Sequence, residues 1–201
     1  MGNREDLLAG AKRCLLEKGY GRTTARDIAS AAGVSLAAIG YHYGSKDALL
    51  TQAMMEAMGE WGDELGRVLA ELGEETDPQE RFVAAWDKVL ESFVEHRGLW
   101  SVQIEILAQM EHAPELRAML GGAQKEARLG LSAMFQGVPE VPDTPDELAR
   151  GAFYQALLAG LASQWVVSPE LAPSGREFLQ GLRLVGASVL PGAGAGPAVS
   201  S

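Results

Sequence analysis

Residues 24–50 read TARDIASAAGVSLAAIGYHYGSKDALL and contain two short helical patterns on either side of a turn at residues 33–35. Thr24 is a favoured N-cap residue, and Asp27, three positions later, places an acid in the first turn of the first pattern. The turn opens with a glycine, which permits the positive φ that tight turns often require. Two short helices joined in this way are typical of a helix-turn-helix, whose second helix enters the major groove of DNA.

The flanking residues complete a three-helix unit around this motif. Ser35 is expected to cap the second helix, which spans about residues 36–43. Two short helices bury too little surface to be stable alone, and residues 3–18 supply a third helix with an apolar stripe. Gly19 follows in the position of a helix-terminating glycine.

The rest of the chain shows helical periodicity and no sustained strand pattern, so the fold class is predicted as all-α. A long helix begins at Lys46. The predicted domains are residues 1–45, the helix-turn-helix, and residues 46–190, a larger helical domain. Residues 191–201 are Gly, Ala, Pro, Val and Ser and are predicted to be a disordered tail. The further predicted helices lie at residues 78–96, 98–111, 114–135, 146–167 and 174–190.

The composition is typical of a soluble globular protein. Apolar residues make up 47% of the 201 residues and charged residues 22%, which excludes a disordered chain. No segment approaches the roughly 20 apolar residues needed to span a bilayer, and residues 1–6 lack the apolar core of a signal peptide. A cytoplasmic location is therefore expected. The single cysteine, Cys14, is expected to be a buried core thiol rather than a redox sensor.

The charge is unevenly distributed along the chain. The net formal charge is −10, but residues 1–50 carry seven Lys and Arg against five Asp and Glu, a net of +2. Residues 51–201 carry ten against twenty-two, a net of −12. Because phosphate contacts need cationic side chains, any nucleic-acid contact is predicted to lie in the first fifty residues, with the acidic remainder facing away from the DNA.

Residues 24–35 and 39–50 together resemble the helix-turn-helix of the TetR family of bacterial repressors. The run Tyr-His-Tyr-Gly-Ser-Lys-Asp-Ala-Leu-Leu at residues 41–50 makes the resemblance specific, and the rest of the chain matches in architecture alone. The resemblance implies a repressor that binds a palindromic operator in double-stranded DNA as a homodimer. It also implies that a small, lipophilic effector of unknown identity binds the domain at residues 46–190 and releases the DNA.

The resemblance also assigns candidate DNA contacts. Thr24 could meet a phosphate at the helix N-terminus or serve as a plain cap, and Tyr43 could lie in the core or contact a phosphate through its hydroxyl. A solvated arginine and a packed aromatic are the alternatives at Arg26 and Tyr41. Small apolar side chains at the start of the second helix could touch thymine methyl groups or permit close approach. The full predicted set is Thr24, Arg26, Ser35, Leu36, Ala37, Ala38, Tyr41, His42, Tyr43 and Lys46.

Gly40 departs from the family pattern, which often has an aromatic or other larger residue at this position. Glycine costs a helix interior up to about 1 kcal/mol relative to alanine, and it removes one side chain that could contact DNA. Few side chains of this helix can then pair with a base edge, so DNA shape is predicted to carry much of the specificity.

The last two predicted helices carry residues suited to a dimer interface. Small residues recur on the first of them and apolar residues on the second, so two helices per subunit could form a four-helix interface. An intramolecular core with the same periodicity is the alternative. The predicted interface residues are Ala152, Ala156, Ala159, Ser163, Phe178, Leu182, Val185 and Val189.

Aromatic, methionine and polar residues in the middle of the chain are candidates for lining an apolar effector cavity. Core packing alone gives the same pattern, and the family resemblance is what favours a cavity in this region. Glu105 is grouped with the polar residues of the cavity. The candidate effector contacts are Trp61, Trp86, Phe93, Trp100, Gln103, Met110 and Gln155.

Catalytic and metal-binding patterns are missing from the sequence. The three histidines, His42, His96 and His112, form no His-x-x-x-His pattern, and neither Cys-x-x-Cys nor Gly-x-Ser-x-Gly occurs. An enzyme is therefore not expected, and no metal or cofactor is predicted. A helical module that binds protein or lipid is the other alternative, although the acidic domain argues against an anionic membrane as its partner.

Overall fold

The computed structural model describes residues 3–72, 77–109 and 114–190, except for the side chains of residues 109, 114–116 and 119. These residues form helices joined by turns and contain no strand, which confirms the all-α prediction. None of the described helices is long and apolar enough to cross a bilayer. The helices are α1 (Asn3–Lys18), α2 (Ala25–Ala32), α3 (Ala37–Tyr43), α4 (Lys46–Ala70), α5 (Pro78–Glu95), α6 (Arg97–Gln109), α7 (Pro114–Gly122), α8 (Gln124–Gln136), α9 (Pro145–Val167) and α10 (Gly175–Val189).

Helices α1, α2 and α3 pack around a shared apolar core, as the motif predicts, and α4 closes that core. Gly10 is the point of closest approach, since a Cβ atom added there would lie 3.0 Å from the Ala32 backbone nitrogen. Glycine at this position therefore allows α1 and α2 to touch. The side chains at the centre of the core are at most 4% exposed: Leu7, Leu15, Ile28, Ile39, Leu49 and Leu50.

Polar contacts hold α1 against its neighbours. The Arg13 guanidinium donates to the Ala31 carbonyl of α2 at 3.0 Å. The Lys12 ammonium pairs with Glu56 of α4, with 3.1 Å between Nζ and Oε1. The first helix is thereby attached both to the helix-turn-helix and to the long helix that follows it.

Cys14 lies on the buried side of α1 and is 5% exposed. Burial raises the pKa of its thiol, which disfavours the thiolate that reacts with oxidants. The prediction of a buried core thiol is confirmed.

The larger domain contains two close helix contacts made by glycine. Gly151 of α9 lies directly against the Arg128 carbonyl of α8, where an added Cβ atom would clash. Gly175, the first residue of α10, donates its backbone N–H to Asp87 Oδ1 of α5 at 2.7 Å. These contacts fix α9 against α8 and α10 against α5.

One predicted helix is divided in the structure. The sequence predicts a helix over residues 114–135 that is loosened at Gly121 and Gly122, and the structure has two helices, α7 and α8, with a break at Ala123. Gly121 and Gly122 come directly before the break. Because glycine has the lowest helix propensity after proline, this pair weakens the helix there.

Ser35 does not cap α3, contrary to the prediction. The N-cap residue is Leu36, and no side chain caps the first turn. The turn closes through the backbone instead, because the Ala38 N–H donates to the Ser35 carbonyl at 3.1 Å. The predicted tail at residues 191–201 and Met110 lie outside the described residues.

Candidate DNA-binding interface

Helix α2 begins with a capping box. The Thr24 hydroxyl accepts a hydrogen bond from the Asp27 backbone N–H at 3.1 Å and donates to Asp27 Oδ2 at 2.6 Å. The same carboxylate oxygen accepts from the Thr24 N–H at 2.9 Å. Thr24 therefore serves as a cap, one of its two predicted roles. The first-turn N–H groups of Ala25 and Arg26 have no acceptor within the helix.

Asp27 is expected to make stability depend on pH in the acid range. Hydrogen bonds from Lys18 and Thr24 hold the pKa of its carboxyl well below the usual value of 3.8. A lowered folded-state pKa stabilises the fold above the unfolded-state pKa, and this contribution is lost as the pH falls from about 4 towards the folded-state value. Urea unfolding of the wild type and of Asp27→Asn from about pH 6 to about pH 2 measures the difference. We expect a difference that shrinks below about pH 4, and a constant difference contradicts the assignment.

Helix α3 presents one face to solvent. Tyr41 is 85% exposed and Leu36 49% exposed, and Ala37 and Gly40 are also exposed. These four positions share one side of the helix, and Ile39 on the opposite side is buried. We call Leu36, Ala37, Gly40 and Tyr41 the exposed face of α3.

Gly40→Ala is expected to stabilise the protein. Gly40 lies in the interior of α3 with ordinary helical φ, and no atom lies within 4 Å of an added Cβ atom. Alanine therefore fits without strain and should raise the free energy of unfolding by about 0.5–1 kcal/mol. Urea unfolding checks this, and a variant no more stable than the wild type contradicts the open-space assignment.

The remaining predicted contacts of α3 lie beside the exposed face. The His42 ring meets Tyr41 edge-on, with 4.8 Å between ring centroids. The Tyr43 hydroxyl donates to the Arg4 carbonyl at 2.6 Å, and the Arg4 guanidinium lies 5.7 Å from the Tyr43 ring centroid. Tyr43 thus connects α3 to the start of α1, and Ala38 packs partly into the core.

Lys46 connects the start of α4 to the residues before α2. Its ammonium lies 3.1 Å from Asp47 Oδ1 and donates to the Thr23 carbonyl at 3.4 Å. It also lies 5.5 Å from the centroid of the Tyr20 ring. The Tyr20 hydroxyl donates to Asp47 at 3.3 Å. Lys46 is therefore held next to the beginning of α2, with its side chain 30% exposed.

Arg26 differs from most cations of the first fifty residues. Lys12 and Lys18 form ion pairs, and the Arg22 guanidinium donates to the Lys18 carbonyl at 2.7 Å. Arg26 on α2 is exposed, and within the described part of the chain it has no ion pair or side-chain hydrogen bond. Its guanidinium can therefore reach a partner outside the protein without breaking an internal contact.

Glu105 is not a residue of an apolar cavity, contrary to the prediction. Its carboxylate reaches from α6 to the turn between α1 and α2, where it accepts hydrogen bonds from the Tyr20 N–H at 2.9 Å and the Gly21 N–H at 2.7 Å. The sequence carries no signal for this contact, because the partners are more than eighty positions apart and the donors are backbone groups.

The predicted dimer residues divide into two groups. Phe178 is partly buried against Trp86, with 4.7 Å between ring centroids, so it belongs to the intramolecular core. The others lie partly or fully at the surface of the single chain. On α9 these are Ala152, Ala156, Ala159 and Ser163, and on α10 they are Leu182, Val185 and Val189.

The predicted effector residues are placed mainly in aromatic clusters. Trp100 lies 4.9 Å from Trp61 and 4.6 Å from Phe93 between ring centroids. Trp61 also lines a cleft of about 310 Å³ between α4 and α5. Trp86 belongs to a separate cluster with Phe178.

Three buried polar atoms have no hydrogen-bond partner within the described residues. They are the indole N–H groups of Trp86 and Trp100 and the Oε1 atom of Gln103. Gln155 does have a partner within the chain, because its Oε1 accepts a hydrogen bond from Arg128 Nε at 3.4 Å. Buried polar groups are normally paired, so these atoms are positions where a bound molecule could supply a partner.

Glu64, Glu95 and His96 bring three potential metal ligand atoms within 4.8 Å of one another. Both carboxylates are exposed, and His96 Nε2 lies 3.3 Å from Glu64 Oε2. Surface groups of this kind form ion pairs without a metal, and no metal is assigned here.

Comparisons with known proteins agree with this geometry. The family described as bacterial regulatory proteins, tetR family, matches residues 7–53. The family described as BetI-type transcriptional repressor, C-terminal, matches residues 78–182, which is more than half of the chain. The chain belongs to the TetR family. The predicted resemblance is therefore confirmed.

Individual relatives extend the comparison. The transcriptional repressor AcnR of Corynebacterium efficiens is 32% identical over 122 residues, which cover 59% of this chain and 56% of that protein. The regulator BetI of Stenotrophomonas maltophilia is 28% identical over 113 residues, 56% of this chain and 57% of that protein. The chain thus spans about half the length of these curated relatives.

A solved transcriptional regulator from Rhodococcus sp. Rha1 has a similar structure over nearly the whole chain. It is 27% identical with a TM-score of 0.60, and the match covers 94% of this TetR-family chain and 99% of that one. These relatives are transcriptional regulators and not enzymes, as predicted for this chain.

Proposed function

We propose that the protein is a transcriptional repressor that binds a palindromic operator as a homodimer and is released by a small lipophilic effector. The observation that carries the proposal is the exposed face of α3, where the 85% exposed Tyr41 projects from the packed three-helix unit. In a helix-turn-helix this is the face that enters the major groove. Repression is supported by the name of the relative AcnR, a transcriptional repressor.

Base and groove contacts are assigned to α3. Tyr41 and Leu36 offer the largest exposed side chains, and Ala37 and Gly40 leave room for close approach to the bases. His42 lies at the edge of this face and suits a phosphate. Shape readout adds to specificity, because none of these side chains makes the paired hydrogen bonds of an arginine or asparagine with a base.

Phosphate contacts are assigned to the starts of α2 and α4. The Lys46 ammonium lies beside the residues that precede α2, and the first-turn N–H groups of Ala25 and Arg26 point out of that helix. Helix N-termini attract anions, so an ammonium and these N–H groups together suit one phosphate. The Arg26 guanidinium can contact the backbone or a base. Thr24 contributes mainly by fixing the helix start.

The charge distribution supports DNA binding through the first domain alone. Residues 1–50 carry a net charge of +2 and residues 51–201 a net charge of −12. The acidic part is repelled by phosphate, so the molecule is oriented with α3 towards the DNA. Binding to chromosomal DNA implies a cytoplasmic protein.

Homodimer formation is supported by the outer faces of α9 and α10. Ala156 and Ala159 of α9 and Val185 and Val189 of α10 are exposed in the single chain. A helix that is apolar on its outer face as well as its inner face is normally buried, and a second copy related by a two-fold axis would bury it. Two half-sites would then be read together.

The effector is assigned to the interior of the larger domain. Trp100 and Gln103 lie three residues apart on α6, and each carries a buried polar atom without a partner in the described residues. A largely apolar molecule with one hydrogen-bond acceptor and one donor would supply the missing partners of the Trp100 N–H and Gln103 Oε1. The structural relative EbrR is a multidrug binding protein solved with imidazole, which supports a small-molecule effector.

Selection from a random duplex library followed by footprinting tests the proposal. We expect protection of two half-sites related by a two-fold axis, with centres roughly 10 base pairs or a multiple apart, and affinity that falls steeply with salt. A panel of lipophilic compounds is then screened for release of the selected DNA. Failure to select any sequence at low salt would overturn the operator proposal, and a panel without effect would overturn the lipophilic effector.

A further inference from the structure

The Glu105 side chain of α6 forms hydrogen bonds with the turn that joins α1 to α2. Its two carboxylate oxygens each accept one backbone hydrogen bond, Oε2 from Tyr20 at 2.9 Å and Oε1 from Gly21 at 2.7 Å. Hydrogen bonds to an ionised acceptor are about twice as strong as neutral ones. The contact crosses from the larger domain to the helix-turn-helix, so it ties the two domains together at one carboxylate.

Three glycines allow this contact. A Cβ atom added at Gly19, whose φ is +86°, would lie 2.8 Å from Glu105 Oε2, and one added at Gly21 would lie 3.0 Å from Oε1. A Cβ atom added at Gly98, near the start of α6, would lie 2.7 Å from the Leu16 carbonyl of α1. A side chain at Gly19 or Gly21 would displace the Glu105 carboxylate, and a side chain at Gly98 would push α6 away from the backbone at the end of α1.

The two sides of the contact are anchored differently. On α6 the neighbours of Glu105 are buried in the core of the larger domain, with Trp100, Val102 and Ile106 at most 3% exposed. On the other side, the Tyr20 hydroxyl donates to Asp47, and the Tyr20 ring faces the Lys46 ammonium. A continuous path therefore runs from the core of the larger domain through Glu105 and Tyr20 to the phosphate-binding start of α4.

We propose that Glu105 is a positioning residue for DNA binding: its carboxylate holds the α1–α2 turn so that Lys46 and the start of α2 are ordered before DNA arrives. Ordering the contact groups in advance removes an entropy cost from binding. This inference rests on the operator-binding function proposed above.

The direction of the change in DNA affinity distinguishes a positioning role of Glu105 from a purely electrostatic effect of its charge. Removing a carboxylate makes the protein less negative, so long-range electrostatics alone predicts tighter DNA binding for Glu105→Ala. Loss of the positioning contact predicts weaker binding. Glu126→Ala on α8 is the matched control, because it removes the same charge from an exposed site on the larger domain.

The experiment measures three quantities for wild type, Glu105→Ala, Glu105→Gln and Glu126→Ala. These are hydrogen exchange at the Tyr20 and Gly21 amides, Kd for the selected operator duplex, and the urea unfolding midpoint. We expect Glu105→Ala to accelerate exchange at these two amides and to weaken operator binding about tenfold, since two charge-assisted hydrogen bonds are lost. Glu105→Gln keeps one acceptor oxygen and should be intermediate, and Glu126→Ala should match the wild type or bind slightly tighter.

The experiment distinguishes failure of the Glu105 proposal from failure of the proposed operator-binding function. If the wild type selects no operator, the function itself is wrong, whereas the amide exchange still reports whether the contact exists. If the wild type binds and Glu105→Ala binds equally well or more tightly, the positioning role is overturned. Weaker binding accompanied by loss of protection throughout α4 and α5 would also overturn it, since that pattern indicates general destabilisation.

Discussion

Replacing Val185 with glutamate is expected to convert the protein to a monomer and to weaken operator binding by about 100-fold or more, because the second half-site is then no longer bound at high effective concentration. Val185 is 60% exposed on α10, so the carboxylate is hydrated in the isolated subunit and the fold should not change. In a two-fold interface the substitution occurs in both copies and would bury two like charges. Sedimentation velocity at micromolar concentration and operator titration measure the two effects.

Gln180→Glu is the matched control for this prediction. Gln180 is exposed on the same helix but lies well away from Val185 around its circumference. It adds the same charge, so a general electrostatic effect on DNA binding should appear equally in both variants. A Val185→Glu protein that remains dimeric, or one that binds DNA like the Gln180→Glu control, would remove α10 from the interface.

The helix-turn-helix could be predicted from the sequence because its signals are local. The Thr24 cap, the acid at Asp27 and the glycine at Gly33 all act within a few residues, and the structure confirms the cap and a left-handed Gly33. The uneven distribution of charge could also be predicted, because it requires only counts of charged residues in each part of the chain. The same local reasoning fails at Ser35, where a backbone hydrogen bond replaces the expected side-chain cap.

Contacts between distant segments could not be predicted in the same way. Glu105 looks like an ordinary polar residue of an apolar helix, and its partners are the backbone N–H groups of Tyr20 and Gly21. Phe178 has the spacing of a dimer residue, yet its ring packs against Trp86 within the chain. Periodicity identifies which face of a helix is apolar, but which neighbour covers that face depends on the tertiary arrangement.

Lys46→Ala and Tyr41→Ala are expected to weaken operator binding in different ways, because we propose that Lys46 contacts a phosphate and that Tyr41 contacts bases. Loss of one phosphate contact per subunit should lower the slope of log K against log salt by about 2 in a dimer, at about 0.9 per phosphate. Tyr41→Ala should leave that slope unchanged. At about 1 kcal/mol per lost base contact, the two subunits together lose about 2 kcal/mol, which corresponds to a Kd about 30-fold weaker.

Titrations of the selected operator at several salt concentrations separate these two effects. Lys125→Ala on α8 removes the same charge as Lys46→Ala from a surface ion pair with Asp143, and it should leave the slope unchanged because it lies in the acidic domain. Tyr41 is 85% exposed, so its truncation should not change the urea midpoint, and any loss of affinity is then a loss of contact rather than of fold. If Lys46→Ala keeps the wild-type slope, the start of α4 does not bind phosphate. If Tyr41→Ala binds the operator and unrelated duplex with the same ratio of affinities as the wild type, the exposed face of α3 does not read sequence.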